Sequence, residues 1–125
     1  MVKVGWTLTV LVALFLLGAS VAPKLMGATV AIDSLLALGW PTRYLLLIGI
    51  VELACVVLFI VPRTSLLGAV LMTGLLGGAM ASHLRAESPL FSHTLFSIYL
   101  GLLVWVALLL RDADLRAYLA RSTAA

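Results

Sequence analysis

The stretch YLLLIGIVELACVVLFIVPRTSLLGAVLMTGLLGGAMAS, from Tyr44 to Ser82, decides the fold. It holds two apolar runs, 44–61 and 65–82, separated only by Pro62-Arg63-Thr64. About 20 residues of helix cross the roughly 30 Å hydrocarbon layer of a bilayer, so each run is close to one span. Proline has no N–H to donate inside a helix, and it closes the first run. A link this short leaves the two spans only a tight antiparallel hairpin.

The flanking sequence repeats the pattern. A run over 4–22 follows Lys3 and ends at Pro23-Lys24. Ser20-Val21-Ala22 has the form of a signal cleavage site, but the run exceeds the roughly 7 to 15 residues of a signal h-region, so it reads as a retained helix. A fourth run covers 94–110, beyond a loop from His83 to His93 that carries Arg85, Glu87 and Pro89. Between the first two runs, 28–38 is moderately apolar, with Ile32, Leu35 and Leu36 on one helical face. Gly39 and Pro41 stop it, and a short interfacial helix is expected there, with Trp40 at headgroup level. The expected fold is all-α: a polytopic membrane four-helix bundle forming one domain, followed by a polar tail at 111–125.

Composition agrees. Hydrophobic residues make up 64% of the 125 and charged residues 10%, against about 25% charged in a soluble domain. A soluble chain of this size cannot bury so much apolar surface, and a disordered chain would be polar. The basic residues are scattered singly, which suits membrane orientation and not nucleic-acid binding. Cys55 is the only cysteine, so no dithiol is available, and His83 and His93 fit no metal-ligand spacing. With four spans both termini share a side. Lys3, Arg63, Arg111, Arg116 and Arg121 lie there, against Lys24, Arg43 and Arg85 opposite. The termini are therefore expected in the cytoplasm, with the bundle in a bacterial inner membrane.

Of the eight basic and five acidic side chains, only Glu52 falls within an apolar run. A carboxylate at a helix centre costs roughly 2.5–3.5 kcal/mol on insertion scales, so it should face inward and take a partner or a proton. Gly49, Cys55, Val56 and Phe59 share its face. Glu52 lies about 12 Å along the helix from Tyr44. Lys24, His83 and Arg85 end neighbouring spans on the same side and could converge on it, with Trp40 and Tyr44 as an aromatic wall. These six residues, Glu52, His83, Arg85, Lys24, Trp40 and Tyr44, form the candidate ligand site. No catalytic residue and no metal site are expected.

The third span carries two small-residue stripes, Gly74-Gly78-Ser82 and Ala69-Thr73-Gly77-Ala81. Small residues let membrane helices approach closely. They offer an intrachain seam, a homodimer seam or both.

Taken in order, Lys24-Leu25, Gly49-x-x-Glu52, Pro62-Arg63-Thr64, Gly68-Ala69, Gly77-Gly78-Ala79 with His83 and Arg85, Gly101, Trp105, Leu110-Arg111-Asp112 and Leu115-Arg116 resemble the DoxX-like family of small four-helix membrane proteins. The resemblance covers nearly the whole chain. It implies a four-helix bundle. The family name comes from a thiosulfate:quinone oxidoreductase with a related membrane subunit, and vertebrate relatives look like assembly chaperones for receptors. The resemblance therefore implies a binding or accessory role, with no intrinsic cofactor and a quinone or lipid as bound ligand near Glu52 and His83, beside a membrane or redox protein partner. A stand-alone enzyme is the less favoured expectation. A small proton-coupled transporter is the alternative, although small multidrug exporters carry their glutamate in the first helix, where this chain has no acidic residue. An assembly partner of other membrane proteins is the other.

Overall fold

The computed structural model describes residues 1–87 and 95–124. Its regular structure among these is entirely helical. The first span combines α1 (Val2–Leu16), a π-turn (Leu17–Val21) and α2 (Ala22–Met26) in one helix of 25 residues. Next come α3 (Thr29–Ala37), a 3-10 turn (Thr42–Tyr44) leading into α4 (Leu45–Ile60), and α5 (Ser65–Arg85). The chain closes with α6 (Phe96–Arg111) and α7 (Ala113–Ala124). Pro89, His93 and the start of the fourth run at Thr94 lie outside the described residues.

Four spans pack in a ring. α1 lies against α6, α6 against α5, α5 against α4, and the π-turn with α2 against α4. The core draws on all four, with Val56, Phe59, Ala69, Met72, Val104 and Leu108 fully enclosed. Leu46, Leu47, Ile50 and Val57 stay exposed, as the lipid-facing surface of a membrane bundle does. Three helices are long and apolar enough to cross a membrane, and α6 with α7 forms a fourth candidate bent by 102°. The bend leaves apolar α6 as the crossing part and turns polar α7 across the bundle end.

The hairpin between α4 and α5 is as tight as the sequence demanded. Helix ends leave backbone carbonyls without partners. Here the Thr64 hydroxyl donates to the Leu58 carbonyl at 2.8 Å, and the Ser65 hydroxyl to that of Val61 at 2.8 Å. Gly68 then faces the Phe59 backbone: a Cβ there would lie 2.6 Å from Phe59 Cα. At the α1–α6 crossing, a Cβ on Gly5 would lie 2.8 Å from the Cβ of Arg111.

Three expectations need correcting. Pro23 does not end the first helix. The Ala22 N–H reaches back five residues to the Leu17 carbonyl, and the widened turn relieves the clash that a proline ring makes with the carbonyl four residues before it. The helix runs on to Gly27, which closes it in a left-handed conformation at φ 67°. Lys24 is thus a helix residue and not a loop residue. Likewise α5 continues three residues past Ser82, so His83 and Arg85 lie in its last turn and not in the loop. Cations there complement the negative helix end, and Glu87 makes the break at φ 58°. Lastly, the tail is not merely polar: Arg111 is buried, and residues 113–124 form the helix α7. The short helix expected at 28–38 forms as Thr29–Ala37, though only Leu35 of its apolar face is buried while Leu36 is exposed.

Candidate functional site

Gly49 and Glu52 explain one another once α2 is in place. A Cβ on Gly49 would lie 3.0 Å from the Cβ of Lys24 and 3.1 Å from a Leu25 methyl. The bare backbone therefore admits α2 at close range. One turn further along α4, Glu52 Oε2 accepts a hydrogen bond from Lys24 Nζ at 2.8 Å. The same ammonium donates to Ser20 Oγ at 2.5 Å, one turn back on its own helix. This is the only salt bridge among the described residues. Its carboxylate side chain is 7% exposed and its lysine side chain 23%, so the pair is closed on the glutamate side and open on the lysine side.

The six-residue set divides in two. Lys24 and Glu52 meet at the seam of α2 and α4. Trp40 and Tyr44 gather elsewhere, on the outer rim of α4 and α5. Trp40 Nε1 donates to Ser82 Oγ at 3.2 Å, and the Trp40 and Tyr44 rings meet edge to face with centroids 6.5 Å apart. The Arg43 guanidinium lies over the Tyr44 ring, 4.9 Å from its centroid. Arg85 joins this rim, for a Cβ on Gly39 would lie 3.0 Å from its Nη2. His83 is half-buried in the last turn of α5. The aromatic wall therefore lines the rim and not the carboxylate.

Of the small-residue stripes, Ala69 is fully buried. Thr73 Oγ1 accepts a hydrogen bond from Trp105 Nε1 at 2.7 Å, which ties α5 to α6. Gly74, Gly77, Gly78 and Ala81 are exposed, and a Cβ on any of the three glycines would meet nothing within 4 Å. Within one chain, then, the stripes are engaged at Ala69 and Thr73 and at Ser82, and their middle from Gly74 to Gly78 stays open. Beside them lies a groove of about 360 Å³ between α4 and α5, walled by Val51, Ala54, Cys55, Leu58, Val70, Leu71, Gly74 and Leu75.

A second buried ion sits at the opposite end, where sequence reasoning placed only a tail. The Arg111 side chain donates to Thr9 Oγ1 at 3.1 Å and to the Phe59 carbonyl. Its guanidinium carbon lies 4.4 Å from the Trp6 ring centroid and 4.6 Å from that of Phe59. The charge is thus met by two π-faces and by the negative end of α4. Next to it, Asp112 Oδ1 accepts from the Leu115 N–H and starts α7. Arg116 turns back onto the last carbonyls of α6, Leu109 and Leu110. A polar cavity of about 340 Å³ opens there among Trp6, Ser65, Arg111, Asp112 and Asp114.

A ring of four apolar helices with one internal ion pair and an arginine-locked end defines a small multi-pass membrane protein. The DoxX-like family profile matches residues 7–107, four-fifths of the chain, and the protein belongs to that family. No curated protein and no solved structure matches it. The motifs that carry the resemblance have physical meanings in the fold. Gly49 and Glu52 receive Lys24, Thr64 and Gly68 close the hairpin, and Arg111-Asp112 joins three helices and turns the chain.

Proposed function

We propose that this protein is a membrane-embedded binding or accessory subunit, which holds the polar head of a quinone or lipid-like molecule beside Lys24 and Glu52. The observation that carries the reading is the half-open ion pair. An ammonium has three N–H donors. Ser20 and Glu52 take two of them, and nearly a quarter of the lysine side chain remains exposed. A quinone carbonyl or an ester oxygen can accept the third. His83 ends its span on the same side and contributes to the polar surroundings. A redox partner, where there is one, supplies the electron transfer.

Native mass spectrometry of the purified protein tests this. A quinone or lipid of defined mass should be retained, and its occupancy should fall about tenfold, or roughly 1.4 kcal/mol, in Glu52→Gln, because the Lys24 ammonium loses the charge-assisted bond that aims its third N–H at the ligand. The amide still accepts from Lys24, so the bundle stays folded. Wild-type protein that retains and binds none of these molecules would sink the reading.

The same reading puts both termini in the cytoplasm of a bacterial inner membrane. Lys3, Arg63, Arg116 and Arg121 support it, together with Arg111, against Lys24, Arg43 and Arg85 at the other end. A thiol reagent that cannot cross membranes should label Ser122→Cys only after the cells are opened. Labelling of intact cells means the bundle is inverted.

A further inference from the structure

The groove between α4 and α5 and the basic rim lie in one line. On α4, Tyr44 and Val51 are two turns apart on the same face, and Ala54, Cys55 and Leu58 continue it. On α5, Gly74, Gly78 and Ser82 follow at one-turn steps, and Arg85 comes three residues later. The face of α5 that lines the groove at Gly74 runs on about 12 Å beyond it, through Gly78, to Ser82. That face shows bare backbone at Gly74 and Gly78, where a Cβ would meet nothing within 4 Å. Its end is the cluster of Trp40, Tyr44, Ser82, Arg43 and Arg85.

The charge at that end is unbalanced. The only salt bridge among the described residues is Lys24–Glu52, so neither Arg43 nor Arg85 has a described carboxylate within ion-pair range, Glu87 included. A guanidinium is a planar fork of five donors that matches phosphate oxygens two at a time. Trp40 and Tyr44 supply the amphipathic rings that favour headgroup depth. A second copy docked here by two-fold symmetry would bring the two arginine rims together at one membrane face, and like charges disfavour that. An uncharged tail alone would leave both guanidinium groups without a counter-anion.

We propose that this groove binds one anionic phospholipid, with an acyl chain against Ala54, Cys55, Gly74 and Gly78 and the phosphate between Arg43 and Arg85. The site lies on a different seam from Lys24–Glu52 and does not depend on the ligand there.

The test is native mass spectrometry of delipidated protein in detergent, titrated with phosphatidylglycerol or with phosphatidylcholine of the same chains. One phosphatidylglycerol should be held about tenfold more tightly, the ratio for roughly 1.4 kcal/mol of extra charge-assisted bonding. Arg43→Gln with Arg85→Gln should bring the two lipids to near parity. Gly74→Leu, whose Cβ meets nothing within 4 Å, puts a side chain into the groove and should weaken both. Arg63→Gln removes an equal charge at the far end and should change nothing. All four positions are exposed, and circular dichroism checks that each variant is folded. Four outcomes would overturn the proposal. They are equal affinity for the two lipids, a preference that survives the double arginine change, competition by glycerol phosphate as strong as by the lipid, and a dimer whose formation excludes the lipid.

Discussion

Replacing Arg111 by alanine should destabilise the bundle more than any other single change at a charged residue, by about 3–5 kcal/mol, the range for truncating a large buried side chain and orphaning its acceptors. The side chain joins three spans at once. It hydrogen-bonds Thr9 on α1 and the Phe59 carbonyl on α4 while rooted in α6, and it rests between the Trp6 and Phe59 rings. Alanine leaves an orphaned carbonyl at the end of α4, an unmatched hydroxyl and a void between two aromatic faces. Lysine and methionine separate these contributions. Lysine keeps the charge but replaces a planar fork by a point, so it cannot serve both acceptors and both rings. It should cost about 1–2 kcal/mol. Methionine keeps the volume and removes the charge, and should fall between the two. The measurement is reversible unfolding in mixed micelles, followed by circular dichroism. If methionine matches wild type, the charge is dispensable and only the filled volume matters.

The sequence showed how many spans there are more clearly than where they end. Run lengths and Pro62 were enough to define the α4–α5 hairpin, because a three-residue link has few geometries. Pro23 was misleading, since a proline normally breaks a helix and nothing local announces that a π-turn will absorb it. That misreading put Lys24 in a loop, although Ser20 stands one turn before it and Glu52 needed a cation. Arg111 was missed for a different reason: a charge at the end of an apolar run reads as an anchor. Its signal was present in the periodicity. Leu100, Val104, Ala107, Leu108 and Arg111 continue one stripe, all of it buried. The division of the six candidate residues could not be read from the sequence, since it depends on which side of α4 each neighbouring helix occupies.

Glu52→Leu should cost about 1–3 kcal/mol, and the loss should be largely repaired by adding Lys24→Met. Removing one member of a buried pair strands the other, and for fully buried pairs the penalty is about 3–5 kcal/mol. Here the lysine is 23% exposed and the carboxylate 7%, so part of the stranded charge is recovered by solvent or headgroups and the smaller range applies. In the double variant two apolar side chains of similar length meet over Gly49, and such replacements are often close to neutral. The coupling between the two sites should therefore be favourable and about as large as the single loss. Lys24→Met alone should be at least as damaging as Glu52→Leu, because the glutamate is the more enclosed partner and has nowhere to snorkel. The four proteins compared by unfolding in mixed micelles close the cycle. Additive losses would mean that Glu52 does not depend on Lys24 for its place in the membrane. A repaired double variant that no longer retains a quinone or lipid would separate the two roles of the pair, for the ion pair would then be dispensable for folding and required for the ligand.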